Sequence, residues 1–165
     1  MVENGFHTVR GYELLHSHSR LLTPAMEDYL EMVYRHAGGD GYLRVNELAE
    51  RLNVKASSAT KMLQRLGALG LIDYKKYGIV ALTAAGAELG AYLLMRHRTV
   101  ERFLSDIGIT ENLLVETELI EHSLSTGTLE RMDTLSRFLT EHPDVREKFA
   151  AFMEAGEARQ GKPDV

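Results

Sequence analysis

The 165-residue sequence has no cysteine, no tryptophan and only three prolines. Without cysteine it has neither disulfides nor thiolate metal ligands, and nothing marks an oxidising compartment. No uncharged apolar run is long enough to cross a bilayer, and the N-terminus lacks an apolar signal segment. The expected location is therefore cytoplasmic, with no membrane partner. No HExxH or other catalytic signature occurs, so an enzyme is not expected. A metal-dependent hydrolase, one alternative, would need an open coordination position, a substrate cleft and a general base. Positive charge is also scarce overall, with 19 Lys and Arg against 24 Asp and Glu and a formal net charge of -5. It is concentrated locally. From Arg44 to Leu82 seven Lys or Arg face three Asp or Glu, whereas from residue 84 onward nine stand against fifteen. The two halves should have different partners, and the acidic total does not exclude nucleic acid.

What the chain does have is centred on Val45 to Gln64. Val45, Leu48, Ala49 and Leu52 form an apolar stripe at helical spacing, and Asn53 suits a sharp left-handed exit. A second stripe runs through Ala59, Met62, Leu63, Leu66 and Leu69. Off it lie Ser57, Ser58, Thr60, Lys61, Gln64 and Arg65, a face of hydroxyls, an amide and cations with no carboxylate. Such groups hydrogen-bond phosphates and base edges, as the second helix of a helix-turn-helix does in the major groove. An αα-hairpin in an ordinary helical protein would use the same stripes. The following segment, LGLIDYKKYGIVALT, favours the DNA reading: two β-prone runs about a Tyr77-Gly78 turn make a wing, with Lys75, Lys76 and Tyr77 near its tip to hold phosphates.

In chain order, residues 1–22 read as a loose arm whose irregularly spaced His7, His16 and His18 are solvated side chains. Thr23 and Pro24 open a helix to about Ala37, with Met26, Leu30, Val33 and Tyr34 as its packing face, and the glycine run after it is a stop. Asp28 and Glu31, three apart, are neighbours on it. Thr83 caps a long helix to about residue 107, whose AAGAELGA start allows very close packing and whose second half carries His97 and Glu101 at i, i+4. A helix from about Glu111 to Leu124 holds Glu118, Glu121 and His122 at i, i+3 and i+4, so two carboxylates and an imidazole share one face and could converge on a divalent cation. A solvated polar face is the plain alternative. Leu119, Ile120 and Leu124 suggest that this helix is partly buried, where paired carboxylates need a positive partner. Two further amphipathic helices, about Thr128 to Leu139 and Asp144 to Ala158, flank Pro143 before a polar tail.

Asp28 and Glu31 after Thr-Pro, SSATKMLQRL, the wing ending LTAAG, RHRTVERFL and IEHSLS occur in the order seen in the diphtheria-toxin-repressor family. The resemblance runs from about Leu22 to Leu139. It is strongest to the manganese transport regulator branch, whose short members lack the SH3-like C-terminal domain of the iron-responsive branch; no such domain is expected after Ala158. The resemblance implies a mainly α fold with a small β-wing: arm 1–22, winged helix-turn-helix DNA-binding domain 23–83, linker helix 84–107, all-α metal-sensing and dimerisation domain 108–158 and tail 159–165. It implies a manganese-responsive repressor, of metal-uptake genes, acting as a homodimer on a palindromic operator. The implied ligands are Asp28, Glu31, His97, Glu118, Glu121 and His122, for one or two Mn2+ per subunit, with Fe2+, Co2+, Zn2+ or Cd2+ as substitutes. Iron-responsive members have methionine and cysteine where this chain has Asp28 and Glu118, which points away from iron. Two features depart from the pattern: a longer arm, and Ala56 where a proline often opens the recognition helix. A winged-helix regulator sensing a small organic ligand would share everything up to Thr83, and the carboxylate and histidine set is what separates the two.

Overall fold

The computed structural model describes residue 13, residues 21–37 and residues 42–160, apart from the side chains of Lys76 and residues 157–160. The arm with its three histidines, the glycine run after Ala37, and the tail lie outside these residues. The order is α1 (Pro24–His36), β1 (Tyr42–Arg44), α2 (Val45–Arg51), α3 (Ala56–Ala68), β2 (Ile72–Lys75), a 3-10 turn (Lys76–Gly78), β3 (Ile79–Leu82), α4 (Ala84–Asp106), α5 (Leu113–Glu121), α6 (Thr126–Glu141) and α7 (Pro143–Gln160). The chain forms two compact units that divide inside α4, between Arg96 and His97.

In the N-terminal unit the caps set the helices. Extended Thr23 accepts the Met26 N–H at 3.4 Å, and Pro24 takes the first helical position, where a missing N–H is harmless. The turn between α2 and α3 passes through left-handed Asn53, φ 50°. Thr83 works twice: its hydroxyl donates to the Gly70 carbonyl at 2.7 Å and accepts the Gly86 N–H at 3.0 Å, so the cap also ties α4 to the loop before β2. Met26, Leu30, Val33, Leu48, Leu63, Leu66, Leu71, Val80, Leu89 and Leu93 share one core. Burying each such side chain is worth about 1.5–3 kcal/mol before chain entropy is counted. The small start of α4 is used as its composition suggests. A Cβ on Gly90 would lie 2.6 Å from Cβ of Tyr34 on α1, and one on Gly86 would lie 1.8 Å from the Leu71 carbonyl oxygen.

The wing is a three-stranded antiparallel sheet in the order β1-β3-β2, not the two strands expected. Ile72 pairs with Leu82 and Lys75 with Ile79, while Tyr42 pairs with Ala81 on the other edge of β3. β1 has three residues and only Leu43 is buried, so it carries too little alternation to be read as a strand. At the tip both Tyr77 and Gly78 have positive φ, 66° and 70°. Glycine does this freely, whereas a tyrosine there is unusual.

His36, in the last turn of α1, has its pKa lowered by burial first and then by the Arg51 and Arg35 cations, against an opposing pull from Glu47. Because the folded value lies below the unfolded one, the unfolded chain takes up the proton first as pH falls. The contribution is complete above the ordinary histidine value of about 6.5 and is lost below it. The melting temperature of His36→Gln should therefore fall less steeply than the parent's between about pH 7.5 and 5.5. Equal slopes would remove His36 as a source of acid sensitivity.

The C-terminal unit has a smaller core of Val100, Leu104 and Leu129, with half-buried Phe103, Ile107, Leu113, Ile120, Leu124 and Met132 against it. α5 begins later than expected, at Leu113, after left-handed Asn112. α7 docks on the end of α4, where Arg146 pairs with Asp106 at 3.4 Å and Met153 lies against Gly108. Leu114, Val115, Leu119, Leu135, Phe138 and Phe152 are exposed. Leu119 therefore does not help to bury α5, as its sequence neighbours suggested.

Candidate metal centre and nucleic-acid interface

The C-terminal unit brings together four ligand-type side chains from α4 and the end of α5. Glu121, only 1% exposed, is the inner one. His97 Nδ1 lies 3.3 Å from Glu121 Oε2 and 3.8 Å from Glu118 Oε1, and His122 Nε2 lies 3.9 Å from Glu121 Oε1. The i, i+3, i+4 spacing places Glu118, Glu121 and His122 on one side of α5, and His97 comes from the buried side of α4. Burying a carboxylate is costly without positive charge beside it. Two carboxylates and two imidazoles in reach of one another supply oxygen and nitrogen donors that suit a first-row divalent cation, and by this chemistry the residues fit one.

Asp28 and Glu31 belong to the N-terminal unit, one turn apart on α1, with Asp28 half-buried and Glu31 buried. Their surroundings hold two arginines that the sequence reading left unused. Arg96 Nη2 donates to Glu27 Oε2 at 2.7 Å, and both side chains are nearly enclosed. Arg35 pairs with Glu31. The second pair was legible, being at i, i+4 on one helix; the first joins residues 69 apart and has no local signal.

On α3, Ser57, Ser58, Lys61, Gln64 and Arg65 are exposed, while Ala59, Leu63 and Leu66 are buried beneath them. Thr60 is half-buried and its hydroxyl donates to the Ala56 carbonyl at 2.9 Å, leaving that proton engaged in its own helix. Lys75 is exposed at the end of β2, and Tyr77 at the wing tip is 94% exposed. The Lys76 side chain lies outside the described residues. An outer face of α3 rich in donors, beside a basic wing, is what major-groove reading with flanking phosphate contacts requires.

Residues 21–80 match the family described as iron dependent repressor, N-terminal DNA binding domain, and residues 83–150 match iron dependent repressor, metal binding and dimerisation domain. The HTH-type transcriptional regulator MntR of Lysinibacillus sphaericus (strain C3-41) is 41% identical over 130 residues, 78% of this chain and 94% of that protein. Among solved structures, that of the manganese regulator SloR has a TM-score of 0.62 at 29% identity and covers 71% of this chain. A manganese-dependent transcriptional repressor in complex with manganese has 0.61 at 30% identity and covers 68%. The match spans 55% and 53% of those two chains, little more than half of each. Fold, site and these likenesses define a metal-dependent DNA-binding transcriptional repressor. The chain belongs to the iron-dependent repressor family, within its manganese transport regulator branch. The family is one of transcriptional regulators, binding DNA and a divalent metal and dimerising. No helix among the described residues is long and apolar enough to cross a membrane.

Proposed function

We propose that this repressor answers to Mn2+, held by Asp28, Glu31, His97, Glu118, Glu121 and His122, and that it thereby controls metal-uptake genes. The observation that carries the reading is Glu121, buried in the C-terminal unit with His97 and His122 beside it and Glu118 at its edge. The cation supplies the concentrated positive charge that these donors need, as one ion or two, and Fe2+, Co2+, Zn2+ or Cd2+ can substitute. Without it, the like charges of neighbouring carboxylates, Asp28 with Glu31 and Glu118 with Glu121, are left to repel. With it, one orientation of the reading heads is selected from the ensemble. Mn2+ has the lowest intrinsic affinity of the first-row series, so selectivity for it rests on this oxygen-rich donor set and its geometry.

The exposed apolar side chains of α5 to α7 suit a homodimer, and two reading heads related by a two-fold axis suit a palindromic operator. The protein acts where the DNA is, in the cytoplasm, and catalyses no reaction. On the DNA side, Lys61→Ala and Gln64→Ala should each reduce discrimination for the operator by about 1–3 kcal/mol. Lys75→Ala and Lys76→Ala should weaken binding to all sequences, each lowering the salt slope by about one. Titrations of salt against affinity separate the two classes. Unchanged affinity in all four variants would remove the winged helix from the interface.

A further inference from the structure

The two arginines at the acidic face of α1 differ in one property. Arg96, which binds Glu27, has a side chain 3% exposed, whereas Arg35, which pairs with Glu31, has 34% of its side chain in water. The Arg96 guanidinium cannot leave Glu27 without stranding a buried charge. Glu27 is thereby committed to holding α1 against α4. Arg35 can swing into solvent, losing little. Its partner Glu31 is itself buried, so a positive neighbour matters in the metal-free protein.

We propose that Arg35 is a competing counter-ion for Glu31 and sets the Mn2+ concentration at which the repressor responds. The proposal rests on Glu31 being a ligand, as read above. A guanidinium has five donors and no acceptor, so it can join a metal site only by using the electron density of a carboxylate. Arg35 draws on the Glu31 carboxylate that a cation would also need, and the two positive centres repel one another whichever oxygen each takes. Pair formation and metal binding therefore oppose each other, and by linkage each weakens the other to the same degree. Arg35 is thus a positioning residue: it touches Glu31 and does not ligate the metal. A merely structural helix-surface pair would leave metal affinity alone, and a supporting hydrogen bond that orients the ligand would make removal of Arg35 harmful. The sign of the change separates all three.

The test measures Mn2+ affinity of the full chain without DNA, by electron paramagnetic resonance of free Mn2+, with circular dichroism melting of the metal-free protein to confirm folding. Arg35→Met keeps the apolar stem and removes the charge; it should bind Mn2+ roughly 3- to 10-fold more tightly, the range expected for a partly exposed charged pair. Arg35→Gln should change in the same direction and serves if the methionine variant folds poorly, while Arg35→Lys should fall between it and the parent. Unchanged or weaker binding in the folded neutral variants overturns the proposal. Glu31→Gln distinguishes its failure from that of the ligand set. If Glu31→Gln loses affinity while Arg35→Met leaves it unchanged, the competition is refuted and the ligands stand. If Glu31→Gln binds like the parent, Glu31 is not a ligand and both readings fall.

Discussion

Glu121→Gln is expected to leave the metal-free repressor folded and to abolish its response to Mn2+. Glutamine has nearly the same shape as glutamate and can still hydrogen-bond His97 Nδ1, which lies 3.4 Å from Oε1 of Glu121, so the packing of a residue that is 1% exposed is kept. Removing its charge also relieves repulsion with Glu118, three positions earlier on the same side of α5. Metal-free melting should therefore hold or rise slightly. What is lost is the carboxylate charge, whose two oxygens lie beside His97 and His122. For the parent, free Mn2+ at about one hundred times its dissociation constant should add about 2.7 kcal/mol, or roughly 5–10 °C in melting temperature for a chain of this size. The variant should gain almost none of this, and its DNA affinity should not change with Mn2+. An unaltered metal-induced rise would mean that Glu121 is not a ligand.

The largest effect on folding is expected from Gly86→Ala. The added Cβ would lie 1.8 Å from the Leu71 carbonyl oxygen, and neither atom belongs to a flexible side chain that could turn aside. Either α4 retreats from the loop before β2, breaking the Thr83 bridge to Gly70, or the N-terminal unit opens. A loss of at least about 3 kcal/mol, the upper end for overpacking, corresponds to roughly 6–12 °C in melting temperature. Gly127→Ala is the matched control, since nothing lies within 4 Å of its Cβ, and it should be neutral or slightly stabilising. A folded Gly86→Ala variant melting with the parent would show that α4 does not pack this closely.

Where the chain's chemistry is local, the sequence was readable. The stripes of α2 and α3, the Thr23 and Thr83 caps and the small start of α4 each depend on residues a few positions apart, and each occurs as expected. The grouping of Glu118, Glu121 and His122 follows from helical spacing, but the approach of His97 does not, and it entered through family resemblance. β1 was missed because a three-residue strand gains its identity from pairing with β3, far along the chain. Asn112 was missed because a left-handed start to α5 leaves little trace in periodicity. The Arg96 to Glu27 pair is a property of the folded unit alone, joining two helices. The Arg35 to Glu31 pair could have been seen, and it matters because it places a cation on an expected ligand.

The most direct test of metal-controlled repression is DNA binding on an operator-length duplex, selected from random sequence in the presence of Mn2+. Affinity is then measured at one fixed ionic strength with Mn2+, Fe2+ or Zn2+ and with no metal. Mn2+ should tighten binding by about 5- to 150-fold, the usual range of coupling between two sites. The Asp28→Asn and Glu121→Gln variants should bind with the parent's metal-free affinity whether or not Mn2+ is present. The same affinity with and without every one of the three ions would contradict it.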